Sequence, residues 1–355
     1  MRIIFAGSPA IAVPCLEMVS KLAESAGAAV TVPAQGFELA GVLTNPDSSK
    51  GRHGRPEPTD VGIAAGALSE KLAARGLPPI PILKPEKLGG EAREVVAALK
   101  PDLLVSFAYG RIFGPKFLAL FPLGGINIHP SLLPKYRGPT PIPRAILNRD
   151  VETGITVQRL ATEMDSGDIL LQERLSLTGR ETTASLSEEV GRRAAPLLAD
   201  ALRGIAVGTL TGRPQDHGAA SCCALLSKDD GRIDWNKSAP EIDAQIRAYT
   251  PWPLSWTLHG DQYLYILAAE TAPDAMPAGK MVTDTLLSAA AGVPKPAPGT
   301  VLGVDKQRGI LVQTGDGVLA VTMLQYRTKK ALEWRAFLNG VRDFTGALLG
   351  TGVLH

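Results

Sequence analysis

The stretch RIIFAGSPAIAVPCLEMVSKLAE runs from Arg2 to Glu24. Its first six residues read as a short buried strand ending in Gly7. The rest reads as a helix, with Ser8 expected as its N-cap and Pro9 at its first position. Strand, glycine turn and capped helix open a βα unit, and the pattern continues outward from it. FELAGVLT (37–44) is a second strand, LSEKLAARG (68–76) a helix and IPILKP (80–85) a short strand. GEAREVVAALKP (90–101) is another helix, followed by the strongly apolar strand DLLVSFAYG (102–110) and by INIH (126–129). ITVQRLA (155–161) and ILLQERLSL (169–177) read as a hairpin pair, and residues 183–205 as a long closing helix. Such alternation implies an α/β domain with a mostly parallel sheet and helices on both faces. Ligands of such sheets sit at the carboxyl ends of the strands, where Thr44-Asn45, Ala108-Tyr109 and His129 fall.

A chain of 355 residues is long for one domain and suggests two. Hydrophobic residues make up 45%, enough for real cores, and the formal net charge of +2 announces no global basic field. The three cysteines, Cys15, Cys222 and Cys223, show no metal-binding spacing, and a reducing cytoplasm is the expected setting. The first strand starts at Arg2, which leaves no room for a leader, and no apolar run is long enough to span a membrane. Beyond residue 205 the pattern changes. GTLTGRPQDHGAAS reads as part of a linker, and short strands separated by turns such as Gly315-Asp316-Gly317 suggest a small β-barrel of the OB type. The boundaries expected are 1–205 for the first domain, 206–222 for the linker and 223–355 for the second domain.

Candidate chemistry begins at GGINIHPSLLPKYRG, Gly124 to Gly138. Alternate residues of a strand share a face, so Asn127 and His129 point the same way. Taken alone, the pair is as well explained by mutual hydrogen bonding as by catalysis. The Pro- and Gly-rich turn that follows, at a strand's carboxyl end, favours a site. EMDSGDIL adds Asp165 and Asp168 around a Ser-Gly turn, which by itself reads as a capped loop. Together Asn, His and Asp are the parts that acyl transfer to an amine requires. No Gly-x-Gly-x-x-Gly fingerprint and no phosphate-binding Gly-Lys-Ser/Thr loop is present, so NAD and ATP are not expected. A triad of Ser131, His129 and Asp165 is disfavoured, because no Gly-x-Ser-x-Gly elbow occurs.

NIHPSLLPKYRG and MDSGDI together resemble the signature of the 10-formyltetrahydrofolate-dependent formyltransferases. The resemblance implies that Asn127, His129 and Asp165 are the catalytic set. IIFAGSP, TNPDSSKGR, VSFAYGRI, GRIDWNKSA and IRAYTPWPLSW also resemble, in order, segments of the branch whose acceptor is methionyl initiator tRNA. That branch implies a Rossmann-type formyltransferase domain followed by an OB-like domain that grips tRNA. It also implies 10-formyltetrahydrofolate as formyl donor, lying against Ala108-Tyr109-Gly110 and Ser131-Leu132-Leu133-Pro134. Lys50, Arg52 and Arg55 are expected at the tRNA acceptor end. Arg327, Lys329, Lys330 and Arg335 are expected to form the basic end of a polarised second domain that is neutral overall. No metal and no membrane are expected, and the protein is expected to act as a cytoplasmic monomer. The stretches at 26–36 and 271–298 look longer than usual for this branch.

The expected reaction is attack of an α-amino group on the formyl carbon. Asn127 and a protonated His129 stabilise the oxyanion, Asp165 keeps the imidazole charged, and no covalent enzyme intermediate forms. A non-catalytic folate- or tRNA-binding module would lack the three polar residues that are present here. A formyltransferase acting on a sugar-nucleotide amine is the alternative within the same chemistry.

Overall fold

The computed structural model describes residues 1–25, 36–49, 55–272, 295–341 and 343–351. Lys50, Arg52 and most of the 26–36 and 271–298 stretches lie outside the described residues. The chain divides into two compact units. The first comprises Met1–Pro141, Glu152–Ser176 and Leu186–Ala224; the second comprises Ile142–Val151, Leu177–Ser185 and Leu225–His355.

In the first unit, β1 (Arg2–Gly7), β2 (Glu38–Leu43), β5 (Ile82–Leu83), β6 (Leu103–Phe107) and β7 (Gly125–His129) pair in parallel. β8 (Glu152–Arg159) and β9 (Ile169–Ser176) extend the sheet antiparallel, giving the order β5-β2-β1-β6-β7-β8-β9. Ile3, Ile4, Phe5 and Ala6 of β1 and Leu103, Leu104 and Val105 of β6 are fully buried. Consecutive apolar residues with both faces covered mark a central parallel strand. β3 (Ser48–Ser49) and β4 (Pro56–Glu57) pair antiparallel, and Arg55 beside β4 is exposed.

The start of the first helix differs from the expectation. A short 3-10 turn at Ala10–Ala12 precedes the helix Val13–Ser25, with Pro9 in extended conformation before it. The Ser8 hydroxyl instead accepts a hydrogen bond from the Asn45 backbone N–H at 3.2 Å. It therefore joins the ends of β1 and β2 and caps no helix. The expected linker 206–222 also packs as part of the first unit. Arg213 and Ile169 exchange backbone hydrogen bonds of 2.8 and 2.9 Å, and Gln215 is buried.

The second unit carries an antiparallel sheet whose strands follow the expected ones closely. They are β10 (Ser255–His259), β11 (Gln262–Ala272), β12 (Val301–Asp305), β13 (Gly309–Gln313) and β14 (Val318–Tyr326). Their order is β10-β11-β14-β13-β12, with β15 (Leu332–Glu333) paired to β14. The helix Ala239–Tyr249 was not foreseen. Its start is fixed by a capping box in which the Ser238 and Glu241 side chains each serve the other's backbone. Ile242 and Ile246 of this helix are buried in one cluster with Trp235, Leu264, Ile266, Ile310, Leu319 and Phe337. Each such aliphatic side chain contributes roughly 1.5–3 kcal/mol relative to exposure.

Candidate active site

β7 lies between β6 and β8, so Asn127 is flanked in register by Ser106 on one side and Gln158 on the other. Residues directly opposite across a ladder project from the same face. Alternation within β7 adds His129, and the side chains of Asn127, Gln158 and His129 converge on Asp165 in the loop between β8 and β9. One carboxylate oxygen of Asp165 accepts from Gln158 Nε2 at 2.9 Å and, at a longer 3.4 Å, from Asn127 Nδ2. The other oxygen accepts from the Gly138 backbone N–H at 2.8 Å and faces His129 Nδ1 at 3.5 Å.

Unusual backbone supports this convergence. Asp165 adopts φ +53°, a left-handed conformation that non-glycine residues rarely take. Two residues on, a side chain at Gly167 would drive its Cβ to 1.9 Å from the Arg159 carbonyl oxygen, so the turn requires glycine there. Gly138, which supplies the N–H to Asp165, has φ +108° and sits against the Cys223 carbonyl, leaving no space for a Cβ.

His129 is buried, and its Nε2–H donates to the Tyr136 carbonyl at 2.8 Å. Burial pushes the imidazole below its ordinary value, while the Asp165 charge and the Tyr136 carbonyl act in the opposite direction. The lowering prevails, so the resting imidazole is neutral. This differs from the expectation of a standing imidazolium. With the proton on Nε2, the Nδ1 lone pair faces a carboxylate oxygen, and the pair is arranged to take up one proton.

Ser131 is committed elsewhere. Its hydroxyl donates to the Lys135 carbonyl at 2.5 Å and its own carbonyl accepts from Thr156 Oγ1 at 2.7 Å. A nucleophilic serine relayed by His129 has no support in this geometry. Thr156 and Gln172 brace the rest of the turn: Thr156 Oγ1 accepts from the Leu133 N–H at 3.2 Å, and Gln172 Nε2 donates to the Leu133 carbonyl at 2.8 Å. Ser131 and Leu133 face inward, whereas Leu132 and Pro134 are half-buried.

At the end of β6, Ala108 has φ +49° and Gly110 φ +80°, and both are exposed. Between them Tyr109 is buried and stacks on Phe113 with ring centroids 5.4 Å apart. Its carbonyl accepts from Asn45 Nδ2 at 2.9 Å. The expected strip 108–110 thus offers backbone and little side chain. In the second unit, Lys329 and Lys330 are exposed in the turn after β14, and Arg327 lies over the Tyr263 ring at 5.0 Å. Gln158, Arg137 and Gln215 were not foreseen as site residues. Among the described residues no group of three or more His, Cys, Asp or Glu side chains could hold a metal, and no helix is long and apolar enough to cross a membrane.

Residues 18–202 match the formyl transferase family, and residues 225–342 match the formyl transferase C-terminal domain. The methionyl-tRNA formyltransferase of Treponema denticola is 45% identical over 346 residues, covering 97% of this chain and 98% of that protein. Among solved structures, the sugar 3N-formyl transferase WlaRD superposes with a TM-score of 0.59 at 17% identity, covering 93% of this chain and 99% of that one. HypX from Aquifex aeolicus in complex with tetrahydrofolic acid gives a TM-score of 0.54 at 18% identity, over 80% of this chain and 45% of that one.

Proposed function

Since the chain belongs to the methionyl-tRNA formyltransferase family, we infer that it carries the formyl group of 10-formyltetrahydrofolate to the α-amino group of methionyl initiator tRNA. The product is N-formylmethionyl-tRNA, ready for translation initiation. The observation that carries the assignment of roles is the pairing of buried His129 with half-buried Asp165, with Nδ1 and Oδ2 3.5 Å apart beside Asn127.

The amine attacks the formyl carbon, and the bond from that carbon to N10 breaks. An α-amino group has a reference value of about 7.7–8.0, so a useful fraction is already the free nucleophile near neutral pH. Attack places negative charge on the formyl oxygen. Asn127 is only partly buried and has an N–H to offer there beyond its long hydrogen bond to Asp165. Loss of one such donor typically costs about 10²–10³ in rate. The proton lost by the amine goes to the His129–Asp165 pair and returns to N10 as the leaving group departs. While it carries that proton, His129 adds a positive charge beside the oxyanion. The charge expected on His129 is acquired during turnover and is not held at rest.

Folate is assigned to the exposed backbone of Ala108, Tyr109 and Gly110 and to the turn from Ser131 through Leu132 and Leu133 to Pro134. The tRNA is assigned to Lys50, Arg52 and Arg55 at its acceptor end and to Lys329 and Lys330 of the second unit. The deciding assay offers 10-formyltetrahydrofolate with either methionyl initiator tRNA or an amino-sugar nucleotide. Formylation of the tRNA alone supports this reading, and formylation of the sugar alone would replace it.

A further inference from the structure

Arg137 and Gln215 lie one step behind the carboxylate that faces His129, and neither belongs to the catalytic set. Both are buried. Arg137 Nε and Nη2 lie 3.1 and 2.8 Å from Gln215 Oε1, and Nη2 also lies 3.3 Å from His217 Nδ1. A guanidinium has five N–H donors and no acceptor. The end of the Gln215 amide that meets it must therefore be the oxygen, which leaves Nε2 pointing away from Arg137.

That nitrogen reaches three acceptors: the Gly167 carbonyl at 2.7 Å, the Asp165 carbonyl at 2.8 Å and Gln158 Oε1 at 3.2 Å. Two hydrogens serve three acceptors, so the longest of these hydrogen bonds is a shared one. It still fixes the second amide. With Gln158 reversed, two NH₂ groups would face each other in a buried space. Gln158 must then turn Nε2 to the Asp165 carboxylate, which it meets at 2.9 Å.

We propose that Arg137, Gln215 and Gln158 form a one-way donor relay that sets the polarity and aim of the Asp165 carboxylate. The donor-only guanidinium orients one amide, that amide orients the next, and the second amide turns an N–H donor to the Asp165 carboxylate oxygen, which accepts. The same Gln215 nitrogen holds the carbonyls on either side of Ser166, and so pins the turn in which Asp165 takes its left-handed backbone. Gln158 touches the catalytic carboxylate; Gln215 and Arg137 act through it as positioning residues. The inference rests on Asp165 being catalytic, as read above.

The test uses the full chain with Gln215→Glu and Gln215→Leu. Glutamate keeps the shape and gives Arg137 an ion pair, but presents oxygen where the relay needs N–H. Turnover in Gln215→Glu is expected to fall about 10²-fold, the scale of a small misplacement at a reacting centre, with the KM values for both substrates within about twofold. In the same variant the His129 imidazole, followed by NMR, is expected to titrate lower than in the parent, because a mis-aimed Asp165 supports its charge less. Gln215→Leu is expected to lose turnover similarly, and if it fails to fold the glutamate variant decides. Asp165→Asn run alongside separates the two readings. If it abolishes turnover while Gln215→Glu keeps parental kcat and an unmoved His129 titration, the relay is wrong and the site stands. If Asp165→Asn is itself fully active, the catalytic assignment and the relay fall together.

Discussion

The Gly138 backbone N–H and the Asp165 carboxylate meet at 2.8 Å, joining the turn after β7 to the loop between β8 and β9. The oxygen used is the one that faces His129, so a main-chain donor fixes which lone pairs remain for the imidazole. The geometry of the candidate site depends on two loops holding each other.

Removing either member of the His129–Asp165 pair is expected to lower turnover at least about 10²-fold, the scale of one missing electrostatic partner at an oxyanion site. His129→Ala and Asp165→Asn are the variants. Because His129 is buried and donates to Tyr136, its loss removes the shorter of the hydrogen bonds that this carbonyl accepts, the other coming from Cys223 Sγ at 3.8 Å, at a cost of about 0.5–1.5 kcal/mol. His129→Ala should therefore melt a few degrees lower yet remain folded. Near-parental formyl transfer by either purified variant would remove these residues from the mechanism.

Stability should respond to acid through the same histidine. Burial lowers the folded-state value of His129 below the roughly 6.5 of an unfolded chain. As pH falls through about 6.5, the unfolded chain takes up a proton that the folded chain refuses, and stability drops. The loss levels off once pH passes the lower folded value. His259 is lowered by burial as well, so the parent carries both contributions. In His129→Asn the fall in melting temperature between about pH 7 and about pH 5.5 should be shallower than in the parent. Equal slopes in the two proteins would mean that His129 is not held neutral.

Two shortened chains separate the roles of residues 206–224. Ending at Ile205 removes Gln215 and the bridge from Arg213 to Ile169, whereas ending at Ala224 keeps both. Both lack residues 225–355, so their difference reports on residues 206–224 alone. The longer piece should bind folate more tightly by calorimetry. Equal affinity would show that the segment does not support the site.

From residue 206 to 355 the chain is balanced, with 14 basic and 14 acidic residues, so tRNA binding there has to come from local clusters. Lys329→Ala with Lys330→Ala should raise the KM for methionyl-tRNA and leave that for folate alone. It should also flatten the dependence of tRNA affinity on salt, by up to about 0.9 in log–log slope for each duplex phosphate no longer neutralised. Arg52→Ala should likewise act on tRNA before folate. Unchanged tRNA kinetics in both the double variant and Arg52→Ala would place the tRNA interface elsewhere.

What the sequence disclosed depended on how local each signal was. The two-residue spacing of Asn127 and His129 is a strand property, and it placed both on the face that meets Asp165. The central strands were visible as apolar runs because both of their faces are covered. Gln158 could have been found by laying 155–161 against 126–129, since register alone sets it beside Asn127. Gln215 gave no such hint. It lies among Gly, Pro and polar residues that read as a linker, and its burial comes from a tertiary return of the chain to β9. The helix Ala239–Tyr249 is encoded in Ser238-x-x-Glu241 with Pro240, a start signal overshadowed by the strands that follow. Ser8 misled because a serine before a helix-like run is an N-cap by local rules, and here the neighbouring strand end uses its hydroxyl.

The division of the chain has a consequence for synthesis. Ile142–Val151 and Leu177–Ser185 leave the ribosome long before most of the unit to which they belong, which is completed by the final 131 residues from Leu225. At about 5–20 residues per second, that interval lasts roughly 7–26 s. During it Ile142, Ala145 and Ile146, all buried in the finished protein, have no completed core to enter. Until then the nascent chain carries in its middle an apolar stretch whose own unit is mostly unmade, and a ribosome stalled before Leu225 would present that stretch to chaperones and proteases.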